Sequence, residues 1–380
     1  MMHMAPTRQT SGFITALASA ITLAGVTPAH AQDFDIDEVV RAVRTIAREV
    51  RIDRRTVNIG TFAIEKDVVF DRLEAGIGQR RDLRAERTDR STQTLAIGPN
   101  GSLELRNVSG DITVRAGSGR DAVVEIIRHS RGRTENDAAR GLSDVQPLID
   151  HRGERATIEM DYRRGDMPYQ VSADFEVVAP AGTRITARSV SGDVSITGIK
   201  GDVAVDVVSG NLRIASSGRV SKASSISGDV SLTDIQGSDT LTASSVSGSV
   251  AMTNVQARRV SVEVTSGDVR AQDIRCDSAS LKSLSGSVSF SGRLSPNGRY
   301  ELNSHSGSVH LTAEGPVGFE LQATSFSGRI QADELSLTSV SRNRSALRAT
   351  VGDGSAVVAV QTFSGDVTIS RGGAAGGNRR

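Results

Sequence analysis

A short segment centred on a Ser-Gly pair recurs along most of this chain, and it constrains the fold more than any other feature. The segment reads apolar-Ser-Gly-polar-apolar in most copies, as in Val190–Val194. Successive glycines from Gly192 to Gly328 are 18 to 21 residues apart. A period near twenty is typical of solenoid coils and is too short for a propeller blade. The pairs are Ser109-Gly110, Ser191-Gly192, Ser209-Gly210, Ser227-Gly228, Ser247-Gly248, Ser266-Gly267, Ser285-Gly286, Ser306-Gly307, Ser327-Gly328 and Ser364-Gly365.

Between the repeats, apolar residues occupy every second position, as in Val203–Val207 and Val260–Val264. This period indicates short β-strands, which gain stability only when one coil stacks on the next. An aromatic content of 3% and the absence of Trp suit a narrow core. The sequence therefore predicts an all-β, parallel β-solenoid with coils of about 18–21 residues and a right-handed winding. At ~4.8 Å a coil, residues 190–370 would form a rod roughly 45 Å long.

Two placements of the repeated glycine are compatible with the sequence. The glycine could turn a corner with a positive φ. Alternatively the strand could continue straight, which would place Val190, Gly192 and Val194 inside and Ser189 and Ser191 outside. The interval of 37 residues from Gly328 to Gly365 predicts two further coils, one of them with a degenerate motif.

The chain divides into six predicted segments. The first is a signal peptide that ends in a small-x-small cleavage site at Ala29–Ala31, so we expect export to the periplasm, the cell surface or the medium. The segments are a signal peptide at 1–31, an N-terminal helix and cap region at 32–78, an Arg-rich linker at 79–91, an irregular β region at 92–189 with an inserted helix at about 134–146, regular Ser-Gly repeats at 190–371 and a disordered tail at 372–380.

Residues 36–50 have the apolar spacing of an amphipathic helix, and Arg41, Arg44 and Arg48 face away from its apolar stripe. Such a helix could cap the open end of the solenoid, which is the interpretation we favour. It could instead bind a membrane surface peripherally, or a partner, through its arginines.

The repeated Ser-(Val/Ile)-Ser-Gly-Asp-Val, together with the Ala-Pro-Ala-Gly-Thr at 179–183, resembles a bacterial family known as "putative adhesins" with β-strand repeats. The resemblance covers roughly residues 92–370. It implies a parallel β-helix at the cell envelope, and it brings no catalytic residues with it.

Several polar residues are candidates for a binding or metal site. The aspartates after the repeated glycines could form a calcium-binding column, or they could cap backbone amides in the turns. The interruption of this column by Ser249, Ser287, Ser308 and Arg329 favours capping. The histidines lack metal-ligand spacing, and the charged cluster at 161–166 indicates a solvated loop. Cys276 could be reactive or pair between chains, but we favour a half-buried structural thiol in a strand. The aspartates are Asp111, Asp193, Asp229, Asp268 and Asp366, and the histidines are His129, His151, His305 and His310.

The sequence therefore predicts a non-catalytic, exported envelope or secreted protein that offers a surface for binding, adhesion or scaffolding. We expect no catalytic, metal or cofactor-binding residues. Its partner would be a glycan or an envelope protein, and the net charge of +1 gives no drive toward nucleic acid. The alternative is a carbohydrate-active β-helix enzyme, a polysaccharide lyase or hydrolase, which would need several acids in one deep groove.

Overall fold

The computed structural model describes residues 83–162, 167–332 and 335–372. The predicted signal peptide, the helix at 36–50, most of the loop at 161–166 and the tail from 373 lie outside the described residues. Within them the chain forms twenty-three strands and one helix, and that helix is too short to cross a bilayer.

The elements fall into three groups along the chain. The first group is β1 Ala85–Leu95, β2 Ser102–Ser109, β3 Ile112–Gly117, β4 Ala122–Gly132, α1 Glu135–Asp144, β5 Gln146–Arg152, β6 Arg155–Asp161 and β7 Tyr169–Pro180. The second is β8 Arg184–Ser191, β9 Val194–Thr197, β10 Val203–Ser209, β11 Leu212–Ala215, β12 Val220–Ser227, β13 Val230–Ser247, β14 Val250–Ser266, β15 Val269–Ser285, β16 Val288–Ser306 and β17 Val309–Glu314. The third is β18 Phe319–Ser327, β19 Ile330–Gln331, β20 Leu337–Arg342, β21 Ala346–Val351, β22 Ala356–Ser364 and β23 Val367–Arg371.

The repeats stack as parallel coils, so the described chain is nearly all β and has the architecture of a β-solenoid. Each motif serine pairs with the motif serine of the next coil, as Ser191 with Ser209 and Ser209 with Ser227. We call the sheet whose strand segments end at these serines face A, and the sheet that starts two residues after each glycine face B. The right-handed winding stays a prediction.

Equivalent residues stack directly on one another inside the solenoid. Val194, Leu212 and Val230 form one such column on face B and are all fully or almost fully buried. Burying a side chain of this size contributes ~1.5–3 kcal/mol before conformational entropy is counted. Because the core is a set of such columns, small branched side chains suffice to fill it.

The last coil is out of sequence order in space. On face A, β22 pairs with β16 on one side and with β18 on the other, so Ser364 lies between Ser306 and Ser327. The prediction of two successive coils between Gly328 and Gly365 is therefore wrong. Residues after β19 instead include the antiparallel pair β20–β21, after which the chain returns and inserts its final coil.

Antiparallel strands close both ends of the solenoid. On face A, β5 pairs with β6 at the N-terminal end. At the other end β21 pairs with β18, and β20 pairs with β21. On face B, β7 carries β4 and then β1. An open parallel edge invites further strand pairing, and these additions leave short or charged strands outermost instead.

The predicted linker at 79–91 is wrong from Ala85 onward. Residues Ala85–Leu95 form strand β1, which pairs with β4 over its full length. The sequence lacks strand alternation there because β1 is an edge strand with both faces largely exposed. Cross-strand ion pairs such as Arg90 with Glu125, at 3.1 Å, accompany its backbone pairing.

The inserted helix forms where its capping signal indicated. Thr134 is the N-cap of α1, and its hydroxyl accepts the Asp137 amide hydrogen while the Asp137 carboxylate accepts the Thr134 amide hydrogen. Buried Ala138 and Gly141 mark the side of α1 that packs inward, and the Tyr169 hydroxyl donates to Asp144 at 2.7 Å. The helix therefore belongs to the N-terminal end of the solenoid.

Candidate binding surface

The repeated glycine turns the corner between face A and face B. Nine of the ten motif glycines have φ between +113° and +153°, a region that residues with a Cβ rarely adopt. The strand therefore does not run straight through, and the alternative that places Ser189 outside is wrong. Ser189 is 1% exposed and faces inward, whereas Val190 lies outside the main core.

Close approach between coils also requires glycine at this corner. A Cβ placed on Gly228 would lie 2.1 Å from the carbonyl oxygen of Gly210, and eight other motif glycines would meet the oxygen of a neighbouring motif glycine at 2.0–2.3 Å, while Gly110 would meet that of Ala173 at 2.3 Å. The Gly228 amide donates to the Ser247 carbonyl oxygen of the next coil at 2.9 Å. The ten glycines therefore form one column along the solenoid, with Gly365 between Gly307 and Gly328.

A buried column of hydroxyl groups holds the glycine carbonyls from inside. The Ser225 hydroxyl donates to Gly210 and the Ser245 hydroxyl to Gly228, at 3.1 and 3.0 Å. These serines precede the motif serine by two residues. The same contact is made in other coils by Ser283, Ser304, Ser325 and Thr362. The abundant Ser-x-Ser-Gly sequence thus serves the backbone of the corner.

The residues after the glycines form a second ladder on the outside, which we call the capping ladder. The Asp193 Oδ1 accepts the Asn211 amide hydrogen at 2.8 Å, and the Asp229 Oδ1 accepts the Ser249 amide hydrogen at 2.7 Å. The same contact joins Asp111 to Asp193, Asp268 to Ser287 and Asp366 to Arg329. The aspartates therefore cap backbone amides, as the favoured interpretation predicted. Among the residues described, no three or more acids, histidines or cysteines come together as metal ligands.

The residues before the motif serines form an outward stripe on face A. It consists of Val108, Val190, Val208, Ile226, Val246, Thr265, Leu284, His305, Phe363 and Phe326, in spatial order. Tyr162 packs on the first three valines, which are 7% exposed or less. Exposure rises toward the other end and reaches 49% at Phe363 and 72% at Phe326.

The exposed end of the stripe is a stack of three rings. His305 lies on Phe363 with ring centroids 5.1 Å apart, and Phe363 lies on Phe326 at 4.7 Å with an interplanar angle of 5°. The parallel register puts one ring on each coil, so the coil spacing produces the stack. A neighbouring outward column carries Asn303, Gln361 and Thr324, which pair in register and add hydrogen-bonding groups without charge.

The four histidines lie at separate places in the described part of the chain. His305 and His310 flank the Gly307 corner, in the face A strand β16 and the face B strand β17, so they lie on different faces. His129 contacts Asp174 at 3.4 Å, and His151 lies near backbone carbonyls, both at the N-terminal end of the solenoid. Of the cluster at 161–166, Asp161 ends β6 and the residues from 163 on lie outside the described ones.

The groups with shifted pKa values are scattered and most are structural. Burial raises the pKa of Cys276 to about 12, and burial also raises that of Tyr300, whose hydroxyl donates to the Cys276 carbonyl at 2.6 Å. Burial raises the pKa of Tyr162 under the stripe. Hydrogen bonds from Ser355 lower the pKa of Asp353. Cys276 is 4% exposed, more deeply buried than the half-buried position expected.

A polar recess elsewhere in the solenoid is small. Asp239, Arg258, Arg259 and Asp277 line it together with Thr240 and Ser278, and its volume is about 100 Å³. Pockets for organic ligands usually measure ~300–1,000 Å³. The recess is therefore smaller than the pockets that bind organic ligands, and we do not choose it as the candidate binding site.

Two features of the solenoid were not predicted from the sequence. One is the buried hydroxyl column, whose signal is a serine or threonine two places before seven of the ten motif serines. The other is a second corner, where Ser216, Asp234, Asn254 and Asp273 take φ values of 51° to 54°. Ser, Asp and Asn recurring at one coil position could have indicated it, because Asn and Asp tolerate the left-handed region better than most residues.

Comparisons with known proteins agree with this architecture. Residues 197–370 match the family model described as Toastrack DUF4097, which confirms the resemblance within the span that the motifs indicated. No curated protein matches the chain.

Several solved structures are similar at low identity. A "putative lipid binding protein" from Parabacteroides distasonis ATCC 8503 is 12% identical, with 75% of this chain and 97% of that chain covered and a TM-score of 0.41. A "putative adhesin" from the same strain is 10% identical, with coverages of 75% and 97% and a TM-score of 0.38. A "putative adhesin" from Bacteroides fragilis NCTC 9343 is 11% identical, with coverages of 74% and 97% and a TM-score of 0.37. Likeness at this level does not extend to ligand or activity.

Proposed function

We propose that the chain is an exported, non-catalytic binding protein, and the premise is the match of residues 197–370 to the family model described as Toastrack DUF4097. Its role is adhesion or scaffolding at the cell envelope or outside the cell. The surface that binds the partner is the outward stripe of face A, above all its ring stack of His305, Phe363 and Phe326.

The observation that carries the proposal is the exposure of that ring stack. Large aromatic side chains at the surface of a soluble domain are costly to leave in water, and contiguous exposed apolar groups commonly mark interaction sites. Aromatic residues also dominate binding energy where they become buried against a partner. The exposed Gln361 beside the rings can orient a polar partner through hydrogen bonds.

The arrangement of acids supports a binding role over catalysis. The capping-ladder carboxylates already accept backbone amide hydrogens, and they follow a ridge along the corner. A glycosidase or lyase needs acids that converge on a concave groove. No observation on the described residues favours the enzyme alternative.

The repeat suggests how such a surface binds. Equivalent groups recur at each coil, so a repetitive partner such as a glycan, or an elongated envelope protein, can engage several weak contacts at once. Export follows from the predicted signal peptide at 1–31 and can be checked by the N-terminus of the mature chain in cell fractions.

The test compares the mature chain with two surface variants on a glycan array and in pull-downs from envelope fractions. Phe326→Ala combined with Phe363→Ala should weaken binding at least tenfold, because both exposed rings are removed. Leu148→Ala is the matched control, since Leu148 is 56% exposed in β5 at the opposite end. Equal binding by the double variant and the control would exclude the ring stack as the site. Release of sugar fragments from any bound glycan would overturn the non-catalytic role.

A further inference from the structure

The outward stripe ends in a ring whose outer face is open. Phe363 covers one face of the Phe326 ring, with ring centroids 4.7 Å apart, yet Phe326 is 72% exposed. The other face of this ring therefore meets solvent, in the direction in which the stack points away from the last parallel coil. A flat apolar group of a partner can lie on that face and continue the stack.

The capping ladder changes its charge beside this ring. Eight of its first nine residues accept an amide hydrogen of the next coil through Asp, Asn or Ser. The last residue is Arg329, which is exposed and cannot accept a hydrogen bond. The ladder therefore ends in a cation next to Phe326. In spatial order its residues are Asp111, Asp193, Asn211, Asp229, Ser249, Asp268, Ser287, Ser308, Asp366 and Arg329.

Two more arginines lie on the strands that close this end of face A. Arg348 is exposed between two buried residues of β21, so its side chain points outward like the stripe. The Ser325 amide donates to the Ser345 carbonyl oxygen at 2.9 Å, which places the exposed Arg344 next to Phe326 across the two chain segments. Within the described chain, neither arginine forms an ion pair.

The carboxylates near this end are already bonded or lie at a distance. The Asp366 carboxylate accepts the Arg329 amide hydrogen at 2.8 Å. Glu320 precedes Phe326 by six residues in β18, which is ~20 Å along an extended strand. The other acids of the last three coils are Glu301, Glu314 and Asp353, which accept hydrogen bonds within the protein, and Asp333 and Glu334, which lie outside the described residues.

An acidic glycan combines the groups that this surface can bind. The C–H face of a sugar ring is flat and apolar, so it can stack on the open face of Phe326. The exposed Gln361 can bond to sugar hydroxyl groups. A guanidinium group binds a carboxylate or a sulfate through two parallel hydrogen bonds.

An anionic membrane fits this surface less well. A bilayer is planar and would lie along the whole of face A, where Asp206, Glu263 and Glu301 also point outward. These carboxylates would repel anionic headgroups. A single glycan chain touches a narrow path at the end of the stripe and avoids them.

We propose that Phe326, Arg329, Arg344 and Arg348, which we call the cationic end, bind a glycan that carries carboxylate or sulfate groups. One sugar ring stacks on Phe326, and the anionic groups of the glycan pair with the three arginines. The inference rests on binding through the ring stack, which is the function proposed above, and it adds the charge of the partner.

Two polymers with the same backbone test that charge. Polygalacturonate carries a carboxylate on every sugar, and its methyl ester carries none. The mature chain should bind polygalacturonate at least tenfold more tightly than the ester in affinity electrophoresis. Added salt should weaken the binding of polygalacturonate, because exposed charge pairs are screened. Equal affinities for the two polymers, or no binding of polygalacturonate, would overturn the inference.

Arginine variants test the position of the site. Arg344→Gln with Arg348→Gln should weaken the binding of polygalacturonate at least fivefold and reduce the difference between the polymers. The matched control, Arg115→Gln with Arg213→Gln, removes two exposed arginines from face B. Arg329→Ser is a second variant that keeps the corner intact, since Ser stands at three other corners of the ladder. Binding of polygalacturonate by these variants as tight as by the control would refute the cationic end.

The double variant Phe326→Ala with Phe363→Ala separates this inference from the proposed function. It should lower the affinity for both polymers. If it does so while the arginine variants bind like the control, the ring stack stands as the site and the acidic partner is wrong. If only the arginine variants lose binding, the ring stack is not the site and the proposed function fails. Tighter binding to phosphatidylglycerol vesicles than to polygalacturonate would assign the cationic end to a membrane and overturn the glycan.

Discussion

Replacing Gly228 by alanine should damage the solenoid at its most constrained point. Gly228 has φ +146°, and a Cβ there would lie 2.1 Å from the Gly210 oxygen and 2.6 Å from the Gly210 carbonyl carbon. The obstacle is backbone of the adjacent coil, so no side-chain rotation relieves it. The two coils must separate locally, or the corner must change conformation.

The cost can be built from three contributions. A residue with a Cβ in such a rarely populated backbone region costs ~1–3 kcal/mol. Separation of the coils also endangers the Gly228 amide bond to Ser247 and the Ser245 hydroxyl bond to Gly228, at 2.9 and 3.0 Å. Each contributes ~0.5–1.5 kcal/mol. The total is about 2–6 kcal/mol, which is a large part of the stability of a typical domain.

Gly237→Ala is the matched control, because Gly237 also has a positive φ of 85° but a Cβ there would meet nothing within 4 Å. It should cost only ~1–2 kcal/mol of backbone strain. Urea unfolding and amide hydrogen exchange of the flanking coils measure both variants, since repeat proteins can open locally. The reasoning is refuted if Gly228→Ala is no more destabilising than Gly237→Ala.

Three further predictions concern the buried hydroxyl column, the capping ladder and the Cys276 thiol. Ser245→Ala should cost ~1–3 kcal/mol in urea unfolding, because a buried carbonyl loses its hydroxyl partner, whereas Ser244→Ala on the outer face should cost less. Asp229→Ala should cost ~1 kcal/mol and Asp229→Asn much less, because the amide oxygen can still accept the backbone hydrogen; equal losses would contradict the capping role. Burial raises the pKa of Cys276 from 9.0 to about 12. The stabilisation that the protonated thiol adds to the free energy of unfolding is therefore intact below pH 9 and is lost as pH rises toward 12. Cys276→Ala should flatten the alkaline fall in unfolding free energy, to which Tyr300 also contributes, and an unchanged slope would show that the thiol is not involved.

The buried hydroxyl column and the capping ladder explain why so few residue types suffice for this fold. Each coil meets its neighbour through backbone pairing, and each corner exposes one carbonyl inward and one amide outward. At six corners a Ser or Thr hydroxyl bonds to the inward carbonyl, and on the outside Asp, Asn or Ser accepts the amide hydrogen of the next coil. The repeated sequence therefore supplies side chains that hydrogen-bond to the polar backbone groups of the same corner in successive coils.

The amino-acid pattern alone predicts the solenoid and its period, because period-two strands interrupted every 18 to 21 residues by Ser-Gly can bury their apolar rows only by stacking. It also indicated the capping role of the aspartates and the start of α1, since both depend on contacts that recur locally or from coil to coil. The assignment of Ala85–Ser91 to a linker failed because an edge strand takes its stability from its partner β4 and not from its own pattern.

The corner, the order of the coils and the candidate surface depend on contacts between distant residues and are seen only in the folded chain. Parity along one strand cannot show that Gly192 turns, because the clash that demands glycine comes from the neighbouring coil. The insertion of β22 between β16 and β18 pairs residues 58 and 37 positions apart, as Ser306 with Ser364 and Ser364 with Ser327, which no local signal encodes. For the same reason the rings of His305, Phe363 and Phe326 are distant in sequence and become a stack only when the last coil inserts.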